Sequence, residues 1–277
     1  MKKTFALILA LVMIFSLCAC GSKQEETATA ASEVLVMGTS ADYAPYEFMY
    51  PDDDGNMQYG GIDVSVAQFV AEDMGKELQI ENMSFDYLLT ALSKGDYDFV
   101  IACMEPVGAR LNAADFSDPY YAESDLAALI LVRAEDADTL NTLEALSGKS
   151  VGAQSGTTKA DMVAELEGVN PVIEANVNDL VKEIVYGKID ALMLDTAVAE
   201  EYANSNEDLA VSDASYELTA TSEYAIAVQK GDPKGLLPGI NAAIAKITEQ
   251  GLVEQYIADA DALSGVAVEV SVDAPEE

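Results

Sequence analysis

From Glu33 onward, short β-branched or apolar runs alternate with segments of helical period, and few architectures satisfy that alternation. Residues 34–38, 78–80, 99–102, 127–132, 150–153, 172–174, 191–194 and 225–228 read as strands. Between them, residues 62–74, 85–94, 159–167, 178–186, 196–203 and 237–249 read as helices; Phe85, Leu88, Leu89 and Leu92, for example, fall on one face. The pattern predicts an α/β fold with parallel sheets covered by helices on both sides. A weak echo supports two similar halves. Leu92, Gly95 and Asp98 lead into Phe-Val-Ile-Ala, and Ile184, Gly187 and Asp190 lead at the same spacing into Ala-Leu-Met-Leu. Each copy reads as a helix stopped by a glycine and followed by a buried strand.

The chain has 277 residues, which suits two lobes of about 100–150 residues each. We expect lobe 1 at 33–121 plus 221–262 and lobe 2 at 122–220, with crossovers near 121–125 and 218–222. Residues 263–277 lack helical period and read as a flexible acidic tail. With no histidine, Ser-His-Asp and Cys-His nucleophile systems and the usual zinc sites are excluded. Fourteen basic against 49 acidic side chains give a formal charge of −35, which opposes binding to nucleic acid.

The first segment reads as a leader rather than as part of the fold. Lys2 and Lys3 precede a largely apolar run at 5–17, too short for a bilayer span of about 20 residues but suited to a signal peptide. The run ends in Leu17-Cys18-Ala19-Cys20, which resembles a bacterial lipobox, with residues 1–19 removed and Cys20 lipidated as the new N-terminus. Residues 20–32 then form a polar tether. After such processing Cys103 is the only other cysteine, so no intrachain disulfide is expected.

Further landmarks run in order along the chain: Gly38-Thr39-Ser40-Ala41-Asp42-Tyr43-Ala44-Pro45-Tyr46, Tyr59-Gly60-Gly61-Ile62-Asp63, and Phe85-Asp86-Tyr87-Leu88-Leu89. Then come Gly95-Asp96-Tyr97-Asp98, Arg110 ahead of Asp115-Phe116-Ser117-Asp118-Pro119-Tyr120-Tyr121, Gly148-Lys149-Ser150-Val151-Gly152, Ser155-Gly156-Thr157-Thr158 and Gly187-Lys188-Ile189-Asp190. Together they resemble the amino-acid-binding proteins of bacterial ABC importers, the polar amino-acid branch of the periplasmic binding proteins. The resemblance covers about 230 residues, from Val34 to Ala262. It implies a two-lobed type II periplasmic-binding-protein fold with a ligand cleft between the lobes. It also implies capture of a free amino acid for an ABC permease, no catalysis and no cofactor. The protein would be a monomer on the outer face of the cytoplasmic membrane, touching the bilayer only through its lipid.

The site follows from the same resemblance and from the ligand's chemistry. A carboxylate favours the planar fork of an arginine, and Arg110 matches the family's ligand-binding arginine. Gly156-Thr157-Thr158 ahead of a helix start would offer N–H groups to the same anion, with an ordinary N-cap as the alternative. Asp195, closing a strand at its carboxyl end, matches the aspartate that takes the α-ammonium, and could also cap the helix after it. Tyr43 and Phe85 match the aromatics that sandwich the ligand side chain. Cys103, at an apolar strand end, joins the set as a residue more suited to burial than to reaction.

Two positions depart from the family. Glu105 stands where serine or threonine is usual, and we expect its carboxylate to face either the ligand ammonium or Lys159. Ser40 occupies a place that is acidic in relatives selecting lysine or arginine. Arg110 and Lys159 against Glu105 and Asp195 sum to zero, which suits a zwitterion with a neutral side chain. The rival reading is an enzyme on the same fold, such as a cyclohexadienyl (prephenate or arogenate) dehydratase with Glu105 as general acid. Gly148-Lys149-Ser150 lacks the glycine of a P-loop, and Asp52-Asp53-Asp54-Gly55 lacks EF-hand spacing and reads as a hairpin turn.

Overall fold

The structure, a computed structural model, describes residues 33–123 and 127–273. The leader at 1–19, the tether with Cys20, part of the first crossover and residues 274–277 lie outside the described residues.

Burial on both strand faces explains the near-continuous apolar runs. In β1 (Val34–Thr39), Leu35 and Met37 enter one core while Val36 packs on the opposite one. Along β6 (Phe99–Val100) and just beyond, Phe99 and Ile101 face the first core, Val100 and Ala102 the second. These strands belong to a five-stranded sheet in the order β5 (Glu77–Asn82), β1, β6, β13 (Glu223–Gln229), β7 (Ala114–Ala122). A second sheet runs β10 (Asn170–Glu174), β9 (Ser150–Gln154), β11 (Ala191–Asp195), β8 (Ala127–Arg133), β12 (Leu209–Glu217). Each sheet forms the centre of one lobe of a two-lobed α/β molecule. The chain passes from the first sheet to the second between β7 and β8, and returns between β12 and β13.

Both sheets are mixed, which corrects the expectation of parallel sheets. β1 pairs parallel with β5 and β6, but β13 runs antiparallel to β6 and β7. In the second sheet β9 is parallel to β10 and β11, while β8 is antiparallel to β11 and β12. The strands entered directly from the other lobe, β8 and β13, are those that run against the helix-connected set.

The expected helices form with small shifts: α1 (Ile62–Asp73), α2 (Leu88–Lys94) after a 3-10 turn at Phe85–Tyr87, α4 (Thr158–Glu165), α5 (Val177–Val185), α6 (Thr196–Ser205) and α7 (Leu237–Gln250). A four-residue α3 (Arg110–Ala113) precedes β7. The glycines of the echo both stop helices with positive φ, 84° at Gly95 and 69° at Gly187. A small antiparallel sheet, β2 (Asp42–Tyr43), β3 (Glu47–Pro51) and β4 (Met57–Gly60), extends the first lobe. Its hairpin turns at Asp52-Asp53-Asp54-Gly55, where Asp52 receives the Gly55 N–H at 2.9 Å.

The reading of 263–277 as a flexible tail is overturned as far as Asp273. Helix α8 (Leu252–Asp273) continues through that stretch, with Ser264 and Ala267 buried. It packs on β3 of the first lobe and on α5 and α6 of the second. Small residues supply the burial there, so the stretch carries no bulky apolar period.

Candidate functional site

Every candidate ligand residue except the lipidation cysteine lines one narrow cavity between the lobes, of about 10 Å³. The first lobe supplies Tyr43 from β2, Phe85 from the 3-10 turn, Cys103 and Glu105 from the segment after β6, and Arg110 from α3. The second supplies Thr157 and Thr158 at the start of α4 and Asp195 at the end of β11.

Arg110 spans the cleft. Its Nη1 donates to the Glu105 carbonyl oxygen at 3.0 Å and its Nη2 to the Gly156 carbonyl of the other lobe at 3.0 Å. The guanidinium lies 5.2 Å from the centre of the Phe85 ring, so this ring holds the arginine by its face. Gly156 adopts φ +78°, and a Cβ there would lie 3.0 Å from the Asp86 Cα and Cβ. The two backbones therefore approach so closely that an added Cβ would need Asp86 to give by a few tenths of an ångström.

Glu105 is the most heavily committed side chain of the cleft. Its Oε2 receives the Thr158 hydroxyl at 3.0 Å and faces Arg110 Nη1 at 3.4 Å. Its Oε1 receives the Ser222 hydroxyl at 3.2 Å and the Lys159 ammonium at 3.4 Å. Glu105 thus meets Lys159, one of the two partners expected of it.

Lys159 sits in the first turn of α4, only 3% exposed, and its ammonium also pairs with Asp195 Oδ1. Burial opposes its charge, but Asp195 and Glu105 outweigh that and hold it protonated above the ordinary lysine range. Asp195 accepts the Tyr43 hydroxyl at 2.7 Å and the Tyr224 hydroxyl at 3.1 Å. It occupies the N-cap position of α6 without a side-chain cap bond, so its carboxylate faces the cleft. Burial, then Asp195 itself, pushes the Tyr43 hydroxyl well up, keeping it a donor.

Thr157 is spent locally: its oxygen caps α4 by accepting the Ala160 N–H at 3.1 Å and donates to the Gln154 carbonyl at 2.7 Å. Cys103 is buried with a left-handed φ of 45°, its N–H on Asp63 Oδ2 at 2.7 Å. Asp63 also takes the Tyr120 hydroxyl at 2.7 Å. Burial, reinforced by nearby carboxylates, pushes the Cys103 thiol well above its usual range, which makes it inert.

Sequence reasoning missed Glu47 and Gln154, which line the same cavity. Glu47 is 1% exposed and its Oε2 has no partner among the described residues; burial, then Asp63 beside it, raises its carboxyl well above the ordinary range. An acid inside an aromatic strand, Tyr46-Glu47-Phe48, was the available signal. Gln154 reaches across to Asp42, whose Oδ2 also accepts the Val177 N–H at 2.9 Å.

The family model of bacterial extracellular solute-binding proteins, family 3, matches residues 35–259. The chain is 33% identical over 261 residues to the arginine-binding extracellular protein ArtP of Bacillus subtilis (strain 168), covering 92% of this chain and 96% of that one. Among solved structures, an amino acid ABC transporter substrate-binding protein, AbpA from Streptococcus pneumoniae, bound to L-arginine, is 30% identical. It superposes with a TM-score of 0.78 over 84% of this chain and 96% of its own. An ancestral arginine-binding protein bound to glutamine is 31% identical, with a TM-score of 0.71 over 80% and 95%. The resemblance read from the ordered motifs and the two-lobed fold agree with these matches, and the chain belongs to the bacterial extracellular solute-binding proteins, family 3.

Proposed function

We propose that this protein captures a free amino acid between its lobes outside the cytoplasm and hands it to an ABC permease, held at the membrane by a lipid on Cys20. The observation that carries the reading is the meeting of Arg110 and Glu105 from one lobe with Thr158, Lys159 and Asp195 from the other. Fixed ions of both signs in a buried cleft suit a zwitterion, whose two charges each need a partner once water is removed. Closure of the lobes on that ligand couples occupancy to permease recognition. The relatives are binding proteins for arginine, histidine and cystine, not enzymes. Support for the dehydratase alternative is absent, since Glu105, its one candidate acid, already accepts from four donors.

The test is a thermal-shift screen of the chain from Ser32 onward against the amino acids and prephenate-type acids. A ligand at 100-fold its dissociation constant stabilises by about 2.7 kcal/mol. Stabilisation by amino acids alone is expected. A shift with prephenate-type acids and none with any amino acid would defeat the reading.

A further inference from the structure

The geometry points to Lys159 as the residue that sets the charge of the ligand, so that the cleft takes amino acids with uncharged side chains and rejects arginine and lysine. This rests on the amino-acid reading above.

Lys159 is an ammonium carried by the protein itself and placed on the carboxylate best suited to receive one. Asp195 is 4% exposed, braced by the Tyr43 and Tyr224 hydroxyls, and paired with Lys159 Nζ. A ligand ammonium reaching Asp195 competes with this tether. Lys159 does not then lose its counter-ion, because Glu105 Oε1 already lies 3.4 Å from its ammonium. Displacement moves Lys159 from two carboxylates to one. The ligand ammonium takes Asp195 and the ligand carboxylate takes Arg110, whose guanidinium now leans on two carbonyl oxygens and Glu105. In that arrangement each ion in the cleft has one opposite partner.

A fourth positive charge, on the ligand's own side chain, finds none. The remaining acids near the cleft are Glu47, Asp63, Asp42, Glu123 and, exposed to water at the rim, Asp86, which receives the Ser155 hydroxyl at 3.2 Å. Glu47 is buried beside Asp63, and burial first, then that neighbouring carboxylate, disfavour its charged form. Asp63 is engaged by the Tyr120 hydroxyl and the Cys103 N–H. Asp42 is engaged by Ser40, Gln154 and the Val177 N–H. Glu123 receives the Tyr46 hydroxyl at 2.8 Å. An acidic side chain fares no better, because the two cations are already used, Arg110 by the ligand carboxylate and Lys159 by Glu105. Burying an ion without a partner costs several kcal/mol, enough to decide selectivity. An uncharged polar side chain meets the Gln154 amide, the Thr158 hydroxyl and the unpartnered Glu47 Oε2.

Calorimetric titration of the chain from Ser32 with the twenty amino acids, for the parent, Lys159→Met and Lys159→Arg, tests this. We expect the tightest parent ligand to have an uncharged side chain, with arginine and lysine at least tenfold weaker. Lys159→Met should improve arginine relative to that ligand by tenfold or more, and Lys159→Arg, which keeps the cation, should not. A parent whose tightest ligand is arginine, lysine or an acidic amino acid overturns the assignment while leaving amino-acid binding intact. So does an arginine ratio unchanged within threefold in Lys159→Met. If Lys159→Met fails to fold, the parent's own ranking decides. Binding of no amino acid at all defeats both the reading of function and this one.

Discussion

Arg110 owes its value to geometry as much as to charge. Its two donor nitrogens reach carbonyl oxygens on opposite sides of the cleft, and its plane rests on Phe85. A lysine in its place keeps the charge but cannot fork, span and stack together. Arg110→Lys should therefore weaken amino-acid affinity by about 1.5–3 kcal/mol, the range of hydrogen bonds to charged groups, with little change in melting temperature. Calorimetry giving an affinity within twofold of the parent would place the ligand carboxylate elsewhere. At this scale the sequence was informative for residues whose type is tied to one task. Arg110, Asp195 and Tyr43 are named through the family resemblance, and the fold brings all three to one cavity. Thr157 could not be separated from Thr158, since only the fold shows which hydroxyl turns back to cap α4. Glu47 was overlooked because an acid within an aromatic strand reads as a solvated face until the strand is seen to be covered.

Among the elements, the join between β2 and the start of α5 carries its own chemistry. Asp42 meets the α5 N-terminus through the Val177 N–H, where a negative charge is favoured, yet burial dominates and pushes its carboxyl up to about 6. The folded form therefore binds more protons than the unfolded chain between roughly pH 4 and 6, and stability falls as pH rises through that window. For Asp42 alone the loss is on the order of 3 kcal/mol, from a rise of about two units. Asp42→Asn, which keeps an acceptor for Val177, should flatten the dependence, leaving the contributions of Asp63, raised by burial to about 6, and Glu123, to about 7. Urea midpoints at pH 4 and 6.5 measure it, and parallel curves for parent and variant would refute the role of Asp42. Among the strands missed from sequence, β7 and β12 share a cause. β7 and β12 are edge strands, interrupted by Pro119 and by a bulge between Val211 and Ser215, and their polar residues break the apolar runs. Central strands, covered on both faces, were plain to read.

Across the whole molecule, the fold leaves the leader and Cys20 to be judged by export experiments. No helix among the described residues is long and apolar enough to cross a membrane. Our proposal of a lipid on Cys20 rests on the Leu17-Cys18-Ala19-Cys20 motif, and a covalent chain contributes about 0.8 kcal/mol per buried CH₂. Cys20→Ser should leave an uncleaved precursor or a released protein, read by membrane fractionation and mass of the N-terminus. Unchanged retention with cleavage at another position would end the lipoprotein assignment. Gly156 of the second lobe lies directly against Asp86 of the first, which the missing side chain admits. In mechanical terms that contact is a clearance: its fit is set by two backbones rather than by ligand groups. A methyl added at that point would press on Asp86, so the absence of one is what lets the jaws come this near at the rim.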